Sequence, residues 1–229
     1  MEPTLAERAY RHIRGKLADG ELAPGKQLVN RVLADEIGVS VIPVREAIHR
    51  LASEGLVEHV PGTGAFVREA DREQLNNLYV LRDAVESCAA GEAAQNITAF
   101  QLEELEAILH EARSIATALA DDAGKHATRR QMNAWLDNEQ RFHELLVESA
   151  RNPLLAKVIH EYRAISEIFD AQRNDPQLLT AEVAEYTCDG KSELLEALRQ
   201  HDSQRARQLM SEQIQRGRRQ VLQHLRQKG

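Results

Sequence analysis

The sequence is poor in the residues that build several common kinds of site. Its 229 residues include only two cysteines, Cys88 and Cys188, too few and too far apart for a disulfide framework or a zinc site. One tryptophan and 4% aromatic residues leave no stock of rings for a sugar-binding groove or a base-stacking platform. There is no surplus of positive charge. Lys and Arg number 29 against 36 Asp and Glu, a net charge of −7, which excludes holding nucleic acid or anionic membrane by bulk attraction. No apolar run approaches the ~18 residues of a membrane span. Met1–Leu5 does not begin a secretory signal, so a soluble, cytoplasmic chain is expected. What the sequence has in plenty is Leu, Ala, Glu, Gln and Arg, and helix should dominate.

The structure breakers are unevenly placed. Seven of the twelve glycines and four of the six prolines fall in the first 70 residues. The acidic excess lies in the remainder. Two domains are expected, 1–70 nearly neutral and 71–229 acidic, joined at Glu69-Ala70-Asp71 without a flexible linker.

In the first domain, Leu5, Ala9, Ile13 and Leu17 recur every four residues and mark one helix face, which Gly20 and Ala23-Pro24-Gly25 end. Asn30 is placed to cap a second helix whose inner face is Leu33, Ala34 and Ile37, with Gly38 as its left-handed terminator. A third helix follows at once. Ser40 stands at its start, Pro43 is in its first turn, and Val44, Ala47, Ile48 and Leu51 form its apolar stripe, turning Arg45 and His49 outward. Two helices on so short a turn match a helix-turn-helix, and the outward Arg45 can reach a guanine edge or a phosphate in the major groove. Leu56–Val60, the turn Pro61-Gly62-Thr63-Gly64 and Ala65–Val67 then read as strand, turn and strand. That is a wing. Gly62 and Thr63 at its tip let the backbone come close to DNA.

Leu33-Ala34, Gly38-Val39-Ser40, Pro43-Val44-Arg45-Glu46-Ala47, Glu54-Gly55-Leu56-Val57 and Gly62-Thr63-Gly64-Ala65-Phe66-Val67 together resemble the winged helix of GntR-family bacterial transcription regulators. The resemblance implies DNA contacts at Arg31, Ser40, Val41, Arg45 and Gly62. Val41 departs from the family pattern, which has Arg there. Ile42 beside it offers an apolar contact to a thymine methyl instead.

The second domain divides into six amphipathic segments, about residues 71–95, 99–121, 128–150, 153–172, 177–200 and 202–226, so a helical bundle is expected. At about 100° per residue, Met132, Trp135, Leu136, Phe142 and Leu146 share one face with Glu139 and His143 inside it. Arg82 and Glu86 lie within the apolar arc of the first segment, Lys191 within that of the fifth and Gln213 within that of the last. Charge buried without a partner is costly. These groups therefore either close on one another, Arg82 with Glu86 and Lys191 with Glu139, or line a cavity for a small anion such as a carboxylate.

This half resembles the FCD effector domain of the FadR subfamily through Leu81-Arg82-Asp83-Ala84-Val85-Glu86, Phe142-His143, Asn152-Pro153-Leu154-Leu155 and Leu195-Glu196-Ala197-Leu198. Many members bind a divalent metal with an Asp and three His beneath an organic acid. Here the corresponding positions are Glu139, His143, Lys191 and Gln213, a degenerate set. No cofactor is therefore expected, a divalent metal being the residual alternative, and Lys191 can take over the metal's positive charge. No nucleophile motif or phosphate loop accompanies Glu139 and His143, so no enzyme is expected. The expected function is a ligand-responsive regulator, most simply a repressor, that binds operator DNA as a homodimer and answers to a small organic acid.

Overall fold

The computed structural model describes residues 3–18, 20–68, 72–121, 126–169 and 176–228. Its contacts divide the chain into two compact units, Met1–Asp71 with Glu161–Asp170, and Arg72–His160 with Ala171–Gly229.

The first unit holds α1 (Leu5–Ala18), β1 (Gln27–Leu28), α2 (Asn30–Ile37), α3 (Val41–Ser53), β2 (Val57–Val60) and β3 (Gly64–Val67). The apolar faces expected of the three helices meet in one core, where Ile13, Val44, Leu51, Leu56 and Val67 are fully shielded. Two details depart from the sequence expectation. Helix α2 begins at Asn30 rather than after it, because extended Val29 takes the cap position and its carbonyl accepts from Leu33 N–H at 3.1 Å. The wing is also not a bare hairpin. Gln27–Leu28 pair with β3 and give an antiparallel sheet of order β1-β3-β2.

The turn between α2 and α3 is fixed from both sides. Gly38 has φ 72° and ψ 44°, and its N–H reaches Ala34 O, closing α2 in the left-handed conformation that a side chain disfavours. Arg8 of α1 donates to the carbonyls of Ile37 and Gly38, placing a cation at the negative end of α2. A Cβ on residue 38 would meet nothing nearer than Arg8 Nη2 at 3.7 Å, so only backbone conformation resists it. Gly38→Ala is therefore expected to lower stability by about 1–2 kcal/mol, seen as an earlier urea midpoint; an unchanged midpoint would show that the turn relaxes freely.

The second unit is helical throughout its described residues. Its helices are α4 (Arg72–Asn96), α5 (Ala99–Asp121), α6 (Arg129–Ser149), α7 (Pro153–Phe169, of which the part up to His160 falls in this unit), α8 (Ala181–Arg199) and α9 (Ser203–Lys228), with a short 3-10 turn at Pro176–Leu178. The last residues expected in the fourth segment, 170–172, lie outside the described ones. Thr128 and Gln131 form a reciprocal capping box at α6, and Thr180 caps α8 by accepting from Val183 N–H at 3.2 Å. The most extensive packing is between α4 and α9, across the buried small residues Ala89, Ala90, Gly91, Ala93 and Ala94. At Gly91 a Cβ would sit 2.2 Å from Arg207 Nε, so the absence of a side chain there lets Arg207 lie across α4 and reach Glu92 at 3.1 Å. Asn138 of α6 donates to Ile108 O of α5 at 2.9 Å. Among the described residues no helix is long and apolar enough to cross a membrane.

Candidate functional sites: a DNA-reading face and a polar cavity

On the first unit, α3 buries Pro43, Val44, Ala47, Ile48 and Leu51 and leaves Arg45, Glu46 and His49 exposed, as its spacing requires. Ser40 occupies the cap position in extended conformation, but its side chain makes no capping hydrogen bond. Ile42 is 67% exposed at the start of α3, one of several large apolar side chains on the surface. Val41 differs. It is half-buried against the domain core, as are Ile37 and Val39 just before it. Arg31 is exposed on α2.

The charges of this unit are sorted by position. Lys16 lies 2.5 Å from Glu36, and Arg50 lies 2.8 Å from Glu7 and 3.2 Å from Glu54 while stacking on Tyr10. Arg45 and Arg31 make no hydrogen bond or ion pair among the described residues, so their charge is left for an outside partner. Gly62 turns the wing tip at φ 76° with open space around it, and Thr63 N–H closes the turn onto Val60 O at 3.0 Å. Gln27 of β1 donates to Thr63 O at 2.8 Å and so ties the wing tip to the third strand. The His49 and His59 rings, 4.9 Å apart, link α3 to β2 at the surface.

In the second unit, α4, α6, α8 and α9, with Leu178 and Leu179 ahead of α8, line a partly open cavity of about 130 Å³. Arg82, Glu139, His143 and Gln213 line it, alongside the apolar Met132, Trp135 and Ile214. Glu86 and Lys191, also expected at the site, are 2% and 1% exposed and stand behind the wall. The reason is pairing. Arg82 Nε donates to Glu86 Oε1 at 3.0 Å, and Lys191 Nζ donates to Glu139 Oε1 at 2.6 Å while lying 4.2 Å over the Phe142 ring. His143 bridges the two pairs, with Nδ1 at 3.3 Å from Glu86 Oε2 and Nε2 at 3.9 Å from Glu139 Oε2. The result is a polar chain, Arg82, Glu86, His143, Glu139, Lys191, drawn from three helices. The ion pairing and the cavity, alternatives in the sequence, exist together. Burial also pushes the nearby Cys188 thiol above its ordinary range, so this cysteine stays protonated and unreactive.

The first unit matches the family model for bacterial regulatory proteins of the gntR family over residues 5–67, and the second matches the FCD domain over residues 77–216. The chain is a GntR-family regulator. It is 31% identical over 166 residues to the HTH-type transcriptional repressor RspR of Escherichia coli K12, covering 72% of this chain and 68% of that one. It is likewise 31% identical over 162 residues to the HTH-type transcriptional regulator YdfH of Escherichia coli O6:H1, covering 71% of this chain and 66% of that protein's length. The solved structure of Escherichia coli McbR/YncC shares the fold at a TM-score of 0.75 and 21% identity, covering 98% of this chain and 99% of its own. These relatives are transcription regulators, not enzymes. DNA binding by the winged helix and an effector-binding FCD domain define the regulator's plan.

The regulator's donor set does not suit a divalent metal. Of the four positions that the family resemblance points to, Lys191 donates to Glu139 at 2.6 Å and occupies the carboxylate that a cation would need. Of the polar cavity residues that escaped the sequence reading, Tyr186, Thr187, Arg216 and Gln220, one carries a guanidinium. That residue is Arg216, with its guanidinium 3.0 Å above the centre of the Tyr186 ring. Its signal was present. Arg216 lies three residues beyond Gln213, on the adjoining edge of the inward arc of α9.

Proposed function

We propose that this regulator is a FadR-subfamily repressor, acting as a homodimer on a palindromic operator and released by a small organic acid that enters the FCD cavity. Residues 1–70 read DNA through Arg31, Ser40, Ile42 and Arg45 with Gly62 and Thr63 at the wing, and residues 71–229 sense and dimerise. It works in the cytoplasm. The observation that carries the sensing half is the cavity of about 130 Å³, which places Arg82, Glu139, His143 and Gln213 around space that no side chain fills. Repression has support in the name of RspR, a repressor 31% identical to this chain. Dimerisation has support in charge. A nearly neutral reading domain neutralises few phosphates, and pairing two of them doubles the contacts. Ligand entry then changes the separation of the two recognition helices, shifting the population away from the operator-competent spacing.

The polar chain favours a second reading, in which its groups close on themselves and operator binding needs no effector. One experiment separates the two. The purified regulator is titrated onto DNA upstream of its own gene and neighbouring genes, with light scattering to count subunits and a panel of organic acids added to the complex. A dimer that leaves its operator on addition of an acid supports the sensing reading. A complex that ignores every acid supports the effector-independent one.

A further inference from the structure

Among the ionisable side chains that line the FCD cavity, the charges are unequally engaged. Arg82 is bonded to Glu86, Glu139 is bonded to Lys191, and His143 lies between the two carboxylates. With the imidazole neutral, the chain of five groups carries no net charge. Arg216 stands outside it. Its guanidinium stacks on Tyr186 and makes no hydrogen bond or ion pair with a carboxylate among the described residues. One turn earlier on α9, Gln213 places its Nε2 donor in full burial with no hydrogen-bond partner. Leaving a buried amide donor unmatched is unfavourable, and one whose residue lines a cavity points to a partner that arrives from outside.

Gln213 is held in place. A Cβ on Gly190 of α8 would come within 3.2 Å of Gln213 Nε2, so the amide packs against a bare stretch of that helix. Tyr186 is 49% exposed and carries Arg216 at the cavity mouth. Deeper in, Met132, Trp135 and Ile214 are 1%, 5% and 4% exposed and supply an apolar floor. The space, about 130 Å³, is close to the roughly 150 Å³ of a cavity that takes up benzene.

We infer that the acid is a compact monocarboxylate with an apolar body, whose carboxylate is clamped by Arg216 and the Gln213 amide on successive turns of α9, not by Arg82 or Lys191. This rests on the effector reading above and narrows it. One uncommitted guanidinium matches one negative charge, while a second carboxylate in the cavity would face Glu139. Arg216 lifting from Tyr186 gives the acid its way in, and the planar guanidinium then meets the carboxylate side-on.

The test uses the full chain and three variants, Arg216→Gln, Arg216→Lys and Gly217→Leu, the last filling the cavity without altering charge. Benzoate and cyclohexanecarboxylate are titrated at constant ionic strength, with benzamide as the uncharged isostere and succinate and citrate as polyanions. Binding is read by ligand-observed NMR and by melting temperature. The monocarboxylates should bind the natural chain and bind Arg216→Gln at least tenfold more weakly. Arg216→Lys should be intermediate, Gly217→Leu should show no binding, and benzamide should be weak throughout. Equal monocarboxylate binding to the natural chain and Arg216→Gln would overturn the clamp and leave the effector reading standing. Binding of citrate or succinate in preference to benzoate would overturn the ligand class and again spare that reading. No binding by any acid would remove both.

Discussion

Arg45→Ala is expected to weaken operator binding by roughly 5- to 150-fold for each recognition helix engaged, the ~1–3 kcal/mol of a well-placed base contact. The side chain is exposed and has no hydrogen-bond or ion-pair partner among the described residues, and Val44, Ala47 and Ile48 around it carry the packing. Thermal stability should therefore be unchanged. Fluorescence anisotropy with the operator at fixed salt gives the number, and Arg45→Lys should recover non-specific affinity without recovering base preference, since an ammonium keeps the charge and loses the fork. Affinity left intact by Arg45→Ala would mean that α3 does not lie in the major groove.

The largest expected effect on stability comes from the polar chain of the FCD unit. Lys191 is 1% exposed, and Glu139 is its hydrogen-bonding partner at 2.6 Å. Glu139→Leu leaves that ammonium buried beside the Phe142 ring with its charge unmatched, at a cost of about 3–5 kcal/mol. Replacing both partners, Glu139→Leu with Lys191→Met, removes the unmatched charge and should recover most of the loss. Urea unfolding of the natural chain, both single variants and the double variant measures the coupling. A double variant as unstable as the sum of the singles would show that the pair contributes through packing alone. Glu139 is itself 22% exposed at the cavity, so Lys191→Met should be the milder of the two single changes.

Most of the helical architecture was legible because amphipathic helices write their inner face into the sequence every three to four residues. Met132, Trp135, Leu136, Phe142 and Leu146, read as one face of a helix, are all buried. The third strand was not legible. Gln27–Leu28 is two residues long, too short to show alternation, and its pairing with Ala65 and Phe66 is set by tertiary structure. The start of α2 was misplaced by a residue because Asn30 is a good cap by type, whereas Val29 takes that position through backbone geometry alone.

The polar site was legible in part for the same reason. A wheel shows that Glu139 and His143 point inward, and the i, i+4 spacing of Arg82 and Glu86 fixes their pairing. It does not show which helices meet, so the bridge from His143 to Glu86 could not be read from spacing. Nor does it separate groups that line a cavity from groups that stand behind its wall, which is how Lys191 and Arg216 exchanged places. Arg216 lies at the margin of the inward arc, where a long side chain can reach either solvent or cavity.

The neutralised back of the winged helix bears on how the regulator moves through a bacterial cell. Lys16 and Arg50 are matched by Glu7, Glu36 and Glu54, and the ten Asp and Glu of residues 1–70 outnumber their nine Lys and Arg, so no net positive charge is left to hold phosphates irrespective of sequence. A protein with so weak a grip on bulk chromosome spends less of its time parked on or sliding along it. Its search for the operator should then lean more on free three-dimensional diffusion than that of a basic winged helix, and a shallow salt dependence of binding to random DNA would register the difference.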